Sequence, residues 1–129
     1  MSIYNTKLFA GADTLITMYH NPNCSKSRAT LELLNERGVE PEIRLYLDNP
    51  PSLQELADLA RKLQMDPTQF IRFNEEVAKE RNISATDDRD ASEWLTLMSE
   101  NPILIERPIV IAGDRARIGR PPENVLELI

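Results

Sequence analysis

Two short runs with the pattern of β-strands, separated by a helical pattern, constrain the fold of this chain more than any other feature. The first run covers residues 15–19 and ends at an Asn-Pro turn, after which a helix is predicted over residues 24–37. Gly38 is placed to end that helix in the left-handed conformation, and the second run covers residues 41–47. Because a helix lies between them, the two strands are expected to pair in parallel through a right-handed crossover. The sheet therefore begins with a βαβ unit.

Helical patterns fill the middle of the chain. Ser52 and Glu55 have the spacing of a capping box, which predicts a helix that continues to residue 65. Three further helical segments are predicted: residues 66–73, residues 75–80, and a helix around Trp94 that is capped by Asp90 or Ser92. We therefore expect a helical insertion between the second strand and the remainder of the sheet.

A β-hairpin and a last helix complete the pattern. Strands are predicted over residues 108–112 and 115–118, joined by a Gly-Asp turn, and the helix begins at Pro122. This order of elements resembles that of thioredoxin-like α/β domains: a three-layer fold with a small mixed sheet and, in this chain, a helical insertion in the middle. We predict that residues 1–14 are a loose N-terminal extension and that residues 15–129 form a single domain.

Composition restricts the class of protein. A chain of 129 residues with 41% hydrophobic content can bury one ordinary core. The sequence has neither an apolar run of membrane-spanning length nor the pattern of a signal peptide, so we expect a cytoplasmic protein without membrane contact. A net charge of −6 argues against nucleic-acid binding. One cysteine and one histidine exclude an internal disulfide and predict that there is no metal site.

The single cysteine, Cys24, lies where the first turn gives way to the first helix. Backbone N–H groups at a helix start have no intrahelical partner and, with the helix dipole, they favour an anion such as a thiolate or an oxyanion substrate. Lys26 and Arg28 add positive charge, and Ser27 is placed to donate a hydrogen bond to the sulfur. A lone cysteine is often only a small buried hydrophobe. The polar and basic neighbours favour a reactive nucleophile instead.

Three arginines are candidates for binding an oxyanion. Arg72, Arg107 and Arg120 each lie beside a turn or a helix boundary, and Arg72 has apolar neighbours. The guanidinium fork gives paired hydrogen bonds to a tetrahedral anion and keeps its charge near neutral pH. The alternative for any arginine is a surface salt bridge, which we favour for Arg44, Arg61, Arg81, Arg89, Arg115 and Arg117.

Four segments, residues 19–28, 45–51, 101–110 and 118–121, together resemble the glutaredoxin-coupled arsenate reductases. The resemblance implies that Cys24 attacks arsenate and that Arg72, Arg107 and Arg120 hold the oxyanion. It also implies that His20 helps to activate the thiol, with Ser27 close by, and that the Arg107-Pro108 bond is the cis-proline bond of thioredoxin-like folds. A second interpretation makes His20 a turn residue that hydrogen-bonds the backbone.

The function implied by the resemblance is reduction of arsenate to arsenite, with glutathione as co-substrate, glutaredoxin as partner, and no bound cofactor. Two alternatives remain open: an RNA polymerase-binding regulator of the same superfamily, and a glutathione-linked thiol oxidoreductase that acts on another substrate. Many of the regulators carry a Cys-x-x-Cys switch. Ser27 takes the place of the second cysteine here, so that switch cannot form.

Overall fold

The computed structural model describes residues 15–129 and shows two compact units. One unit contains residues 15–44 together with residues 107–129, and the other is Leu45–Glu106. The proposed extension, residues 1–14, lies outside the described residues. A single domain over residues 15–129 stays a prediction.

The first unit holds a small mixed sheet. Its strands are β1 (Ile16–Tyr19), β2 (Glu42–Arg44), β3 (Ile109–Ala112) and β4 (Arg115–Ile118), in the spatial order β2-β1-β3-β4. β1 pairs with β2 in parallel, as predicted from the helix between them. The pairs β1–β3 and β3–β4 are antiparallel, which confirms the predicted hairpin.

Helix α1 (Ser25–Glu36) joins β1 to β2 and covers the sheet. Gly38 follows it with a φ of +80°, the left-handed conformation expected at this helix end. Side chains from β1, α1, β3 and the C-terminal segment form one core: Met18, Leu34, Val110, Ala112, Val125 and Leu128. The C-terminal segment Pro122–Leu128 is helical as predicted, but it is a 3₁₀ helix.

The second strand is shorter than predicted. The sequence predicted a strand over residues 41–47, whereas β2 covers only Glu42–Arg44. The chain turns immediately afterwards, because the backbone N–H groups of Asp48 and Asn49 both donate to the carbonyl of Leu45. Tyr46 is buried within this turn segment, so its hydrophobicity reflects burial in a turn rather than a longer strand.

The second unit is mostly helical, in agreement with the predicted insertion. It contains α2 (Leu53–Leu63), α3 (Glu76–Glu80), α4 (Ala91–Glu100) and two short 3₁₀ helices, Pro67–Phe70 and Pro102–Leu104. The capping box of Ser52 and Glu55 is present, and Asp90 rather than Ser92 caps α4. Helix α2 packs against α4, and the rings of Phe73 and Trp94 meet edge to face at 5.7 Å.

The helix predicted over residues 66–73 is confined to the 3₁₀ helix Pro67–Phe70. Beyond it the backbone becomes extended, and Ile71 forms an antiparallel bridge with Ile105. This pairing with a distant segment, which no local pattern indicates, ends the helix. Among residues 15–129, no helix has the length and apolarity needed to cross a membrane.

Candidate active site

Cys24 is the N-cap residue of α1, with extended backbone dihedrals of φ −104° and ψ 125°. Its N–H donates to the carbonyl of Asn21, and its own carbonyl accepts from the N–H of Arg28, both at 3.0 Å. The helix has no side-chain cap, so the first-turn N–H groups remain beside Cys24 for an anion. The residue is only 9% exposed. A thiol in this position is largely buried and lies next to a helix N-terminus, which favours an anion.

Two side-chain hydrogen bonds stabilise the turn before Cys24. Asn21 Oδ1 accepts the N–H of Asn23 at 2.9 Å, and Arg28 Nη1 donates to the carbonyl of Pro22 at 2.8 Å. These contacts hold the turn against the first two turns of α1. The position of Cys24 is therefore fixed locally, by residues within one short segment.

Arg120 reaches Cys24 from the other end of the sequence. Its Nη2 donates to Cys24 Sγ across 3.7 Å, although the two residues are 96 positions apart. Its Nε donates to the carbonyl of Arg107 at 2.7 Å, so one guanidinium links two of the residues predicted for the site. A cation in this place attracts either a thiolate or an oxyanion that approaches it.

The sheet register explains why these residues meet. Tyr19 pairs with Ile109, and Ile109 pairs with Ile118, so the three strands end side by side. The residues immediately beyond them are His20, Pro108 and Gly119. At this end of the sheet, the chain therefore enters the turn before α1 and the segments that carry Arg107 and Arg120.

Gly119 packs closely against Pro108 and Thr30 of α1, and so it positions Arg120, the next residue. Its N–H donates to the carbonyl of Pro108 at 2.9 Å. A Cβ at this position would lie 2.6 Å from Thr30 Oγ1 and 2.8 Å from Pro108 Cγ, so only glycine allows this close approach to α1.

The bonds Arg107-Pro108 and Arg120-Pro121 are both cis, which confirms the expectation for Arg107-Pro108. Sequence reasoning missed Gly119 and Thr30; the only signal was a glycine directly before an arginine of interest.

His20 and Ser27 form a buried polar pair. His20 Nδ1 lies 2.7 Å from Ser27 Oγ, and the backbone N–H of Asn21 donates to the same oxygen at 3.0 Å. Burial, and then the positive charge of Arg28, lower the pKa of His20, so the imidazole is neutral near pH 7. The Ser27 hydroxyl therefore hydrogen-bonds His20 and Asn21, whereas the sequence predicted that it would donate to the sulfur of Cys24.

Arg107 is half-buried, with Nε and Nη1 of its guanidinium withdrawn from solvent. Arg72 belongs to the second unit, where its Nη1 lies 2.9 Å from Glu75 Oε2 and its Nε lies 3.8 Å from Glu106 Oε1. The structure thus brings Cys24, His20, Ser27, Arg107 and Arg120 together within the first unit. Binding of an oxyanion by Arg72 stays a prediction.

Several other arginines form the surface ion pairs expected of them: Arg61 with Asp58, Arg89 with Asp87, and Arg117 with Glu127. Within residues 15–129, no three His, Cys, Asp or Glu side chains are grouped so that they could hold a metal ion.

Comparisons with known proteins identify relatives by sequence and by fold. The model of the ArsC family matches residues 19–128. An arsenate reductase of Haemophilus influenzae is 49% identical over 115 residues, which cover 88% of this chain and 98% of the relative. The uncharacterized protein YfgD of Escherichia coli is also 49% identical, over 117 residues that cover 88% of this chain and 96% of that protein.

A solved structure of an arsenate reductase from Vibrio cholerae superposes with a TM-score of 0.85 at 42% identity, covering 90% of this chain and 98% of that one. The four-stranded mixed sheet with helices confirms the predicted α/β, thioredoxin-like fold. On the sequence match and the shared fold together, this chain belongs to the ArsC family.

Proposed function

We propose that this protein is an oxidoreductase that reduces arsenate to arsenite with Cys24 as its nucleophile. The observation that carries the proposal is the contact between the Arg120 guanidinium and Cys24 Sγ, 3.7 Å apart, at the uncapped start of α1. A nucleophile and an oxyanion-binding cation are needed in the same place for this chemistry. The relatives named arsenate reductase supply the identity of the oxyanion.

In the first step, the Cys24 thiolate attacks arsenic(V) and displaces hydroxide, which leaves as water after taking up a proton. A sulfur–arsenic bond forms and arsenic keeps its oxidation state. Arg120 and Arg107 offset the negative charge of the bound oxyanion, and Arg72 joins them in this proposal. The first-turn N–H groups of α1 also stabilise this negative charge.

In the second step, a glutathione thiolate attacks the Cys24 sulfur. The sulfur–arsenic bond breaks, its electron pair goes to arsenic, and arsenite leaves as arsenic(III). The two sulfurs are oxidised together to a mixed disulfide between Cys24 and glutathione, which glutaredoxin then reduces. Because Cys24 is the single cysteine and Ser27 stands at the Cys-x-x-Cys position, the chain needs this external thiol. The glutathione pool of the cytoplasm suits such a reaction, and the mechanism uses no bound cofactor.

His20 and Ser27 hold the turn that presents Cys24 in this scheme. The lowered pKa of His20 keeps the imidazole neutral, which is the form able to accept a proton when the thiol is activated. Ser27 acts through His20, since its hydroxyl lies 2.7 Å from that ring.

The test is arsenite production by the purified protein with arsenate, glutathione and glutaredoxin. We expect turnover by the wild type and none by Cys24→Ser, whose circular dichroism spectrum should be unchanged because a hydroxyl fills nearly the same space. Thioredoxin without glutathione should support little turnover. Arsenite formation by Cys24→Ser, or none by the wild type, would contradict the proposal. In the second case, co-purification with RNA polymerase would favour the regulator, and glutathione-dependent reduction of another substrate would favour a general thiol oxidoreductase.

A further inference from the structure

The second unit contains an ion-pair cluster, here called the Arg72 cluster, made of Arg72, Glu75 and Glu106. The guanidinium has two carboxylate neighbours: its Nη1 lies 2.9 Å from Glu75 Oε2 and its Nε lies 3.8 Å from Glu106 Oε1. All three side chains are about a quarter exposed, at 23%, 23% and 27%. Solvent therefore screens this cluster less than it screens a fully exposed pair.

The backbone places both carboxylates. The antiparallel bridge between Ile71 and Ile105 is flanked by two hydrogen bonds, Arg72 N–H to Leu104 at 2.7 Å and Glu106 N–H to Phe70 at 2.9 Å. In such a pairing, the residues that flank the bridge have side chains on one face, so Arg72 and Glu106 are neighbours. On the other side, Glu75 N–H donates to the carbonyl of Arg72 at 3.2 Å, which turns the chain back.

The Arg72 cluster carries one positive and two negative charges. An oxyanion that binds Arg72 must share a guanidinium that these carboxylates already contact, and it must approach their negative charge. A dianion is repelled more than a monoanion. A protonated oxygen on the ligand can in addition donate a hydrogen bond to a carboxylate, which a fully deprotonated dianion cannot do.

We propose that Glu75 and Glu106 are specificity-determining residues for oxyanion binding at Arg72, where they weaken the binding of dianions and favour monoanionic oxyanions that carry an O–H group. This inference rests on the proposed role of Arg72 as an oxyanion ligand. It adds that the affinity for an oxyanion is limited by this protein's own carboxylates.

The experiment is isothermal titration with sodium sulfate, an unreactive tetrahedral dianion, against the wild type, Glu106→Gln and Glu76→Gln. Glutamine keeps the size of Glu106 and removes its charge. Glu76 is exposed on α3 next to the cluster, and its substitution changes the net charge equally. We expect Glu106→Gln to bind sulfate about fivefold more tightly, and Glu76→Gln to change the affinity less than twofold. In a protein carrying Arg72→Leu, Glu106→Gln should give no gain.

Equal effects of Glu106→Gln and Glu76→Gln, sulfate binding that is undetectable in every variant, or a gain that persists without Arg72 would overturn the inference. Sulfate binding requires no turnover, so this result is independent of the arsenite assay. If the wild type makes arsenite and sulfate binding ignores Glu106, the specificity inference fails alone. If sulfate binding responds as expected and no arsenite forms, the proposed reaction fails alone.

Discussion

Replacement of Gly119 by alanine tests whether the close contact between Gly119 and α1 sets the position of Arg120 relative to Cys24. The added Cβ would lie 2.6 Å from Thr30 Oγ1 and 2.8 Å from Pro108 Cγ. The side chains of Thr30 and Pro108 or the backbone at Gly119 must therefore move by several tenths of an ångström. Overpacking of this kind costs about 1–3 kcal/mol in the free energy of unfolding. The φ angle of Gly119 is not in the left-handed region, so the cost is steric.

Urea denaturation of Gly119→Ala, Thr30→Ala and the double variant measures the effect as a double-mutant cycle. Thr30 Oγ1 donates to the carbonyl of Lys26 within its own helix, so Thr30→Ala alone should cost little beyond its buried methyl group. We expect the double variant to recover part of the loss, with a coupling of about 0.5–3 kcal/mol. Arsenate turnover should fall with Gly119→Ala as well, because Arg120 is displaced from Cys24.

Gly38→Ala is the matched control. Nothing lies within 4 Å of a Cβ at Gly38, but its φ of +80° is unfavourable for alanine and costs about 1–2 kcal/mol. Stability should fall with no coupling to Thr30 and no loss of turnover. A loss below about 0.5 kcal/mol for Gly119→Ala, or equal effects of the two glycine variants on turnover, would refute the steric argument.

Two further predictions concern the site. The pKa of His20 is lowered by burial and by Arg28 from its usual 6.5, so below pH 6.5 the unfolded chain binds more protons than the folded one, and stability should fall as the pH drops through the folded-state value. Urea titrations between pH 7.5 and 5 should show a smaller decline for His20→Gln, and parallel declines would contradict this. Arg120→Lys should lower kcat/KM about tenfold or more, because an ammonium cannot contact Cys24 and the Arg107 carbonyl as a guanidinium does. Arg117→Lys, which alters a surface pair with Glu127, should leave kcat/KM unchanged, and an equal loss in both variants would argue against a role for the Arg120 contact.

The parts of the fold that were predictable are those that neighbouring residues decide. The capping box of Ser52 and Glu55 satisfies backbone donors within three residues, and the left-handed Gly38 ends α1 by its own conformational freedom. The parallel pairing of β1 and β2 follows from the helix between them. Each of these needs only a short window of sequence.

The parts that were not predictable depend on contacts through space. The short β2 and the early end of the helix before Arg72 are decided by the turn at Leu45 and the bridge from Ile71 to Ile105. The approach of Gly119 to Thr30 joins segments far apart in the chain. The contact between Arg120 and Cys24 does the same, and only the resemblance to a family suggested that these residues share a site.

The sheet register determines the relative positions of Cys24 and Arg120. Their contact spans 96 positions of sequence, yet the pairing of β3 with β1 and β4 determines where both residues stand. The Leu45–Glu106 unit between β2 and β3 contributes no strand to this four-stranded sheet. A slip of one residue between β1 and β3 would point every side chain of the slipped strand to the opposite face. An insertion or deletion inside β1, β3 or β4 would therefore shift Cys24 relative to Arg120, even where it left the Leu45–Glu106 unit unchanged.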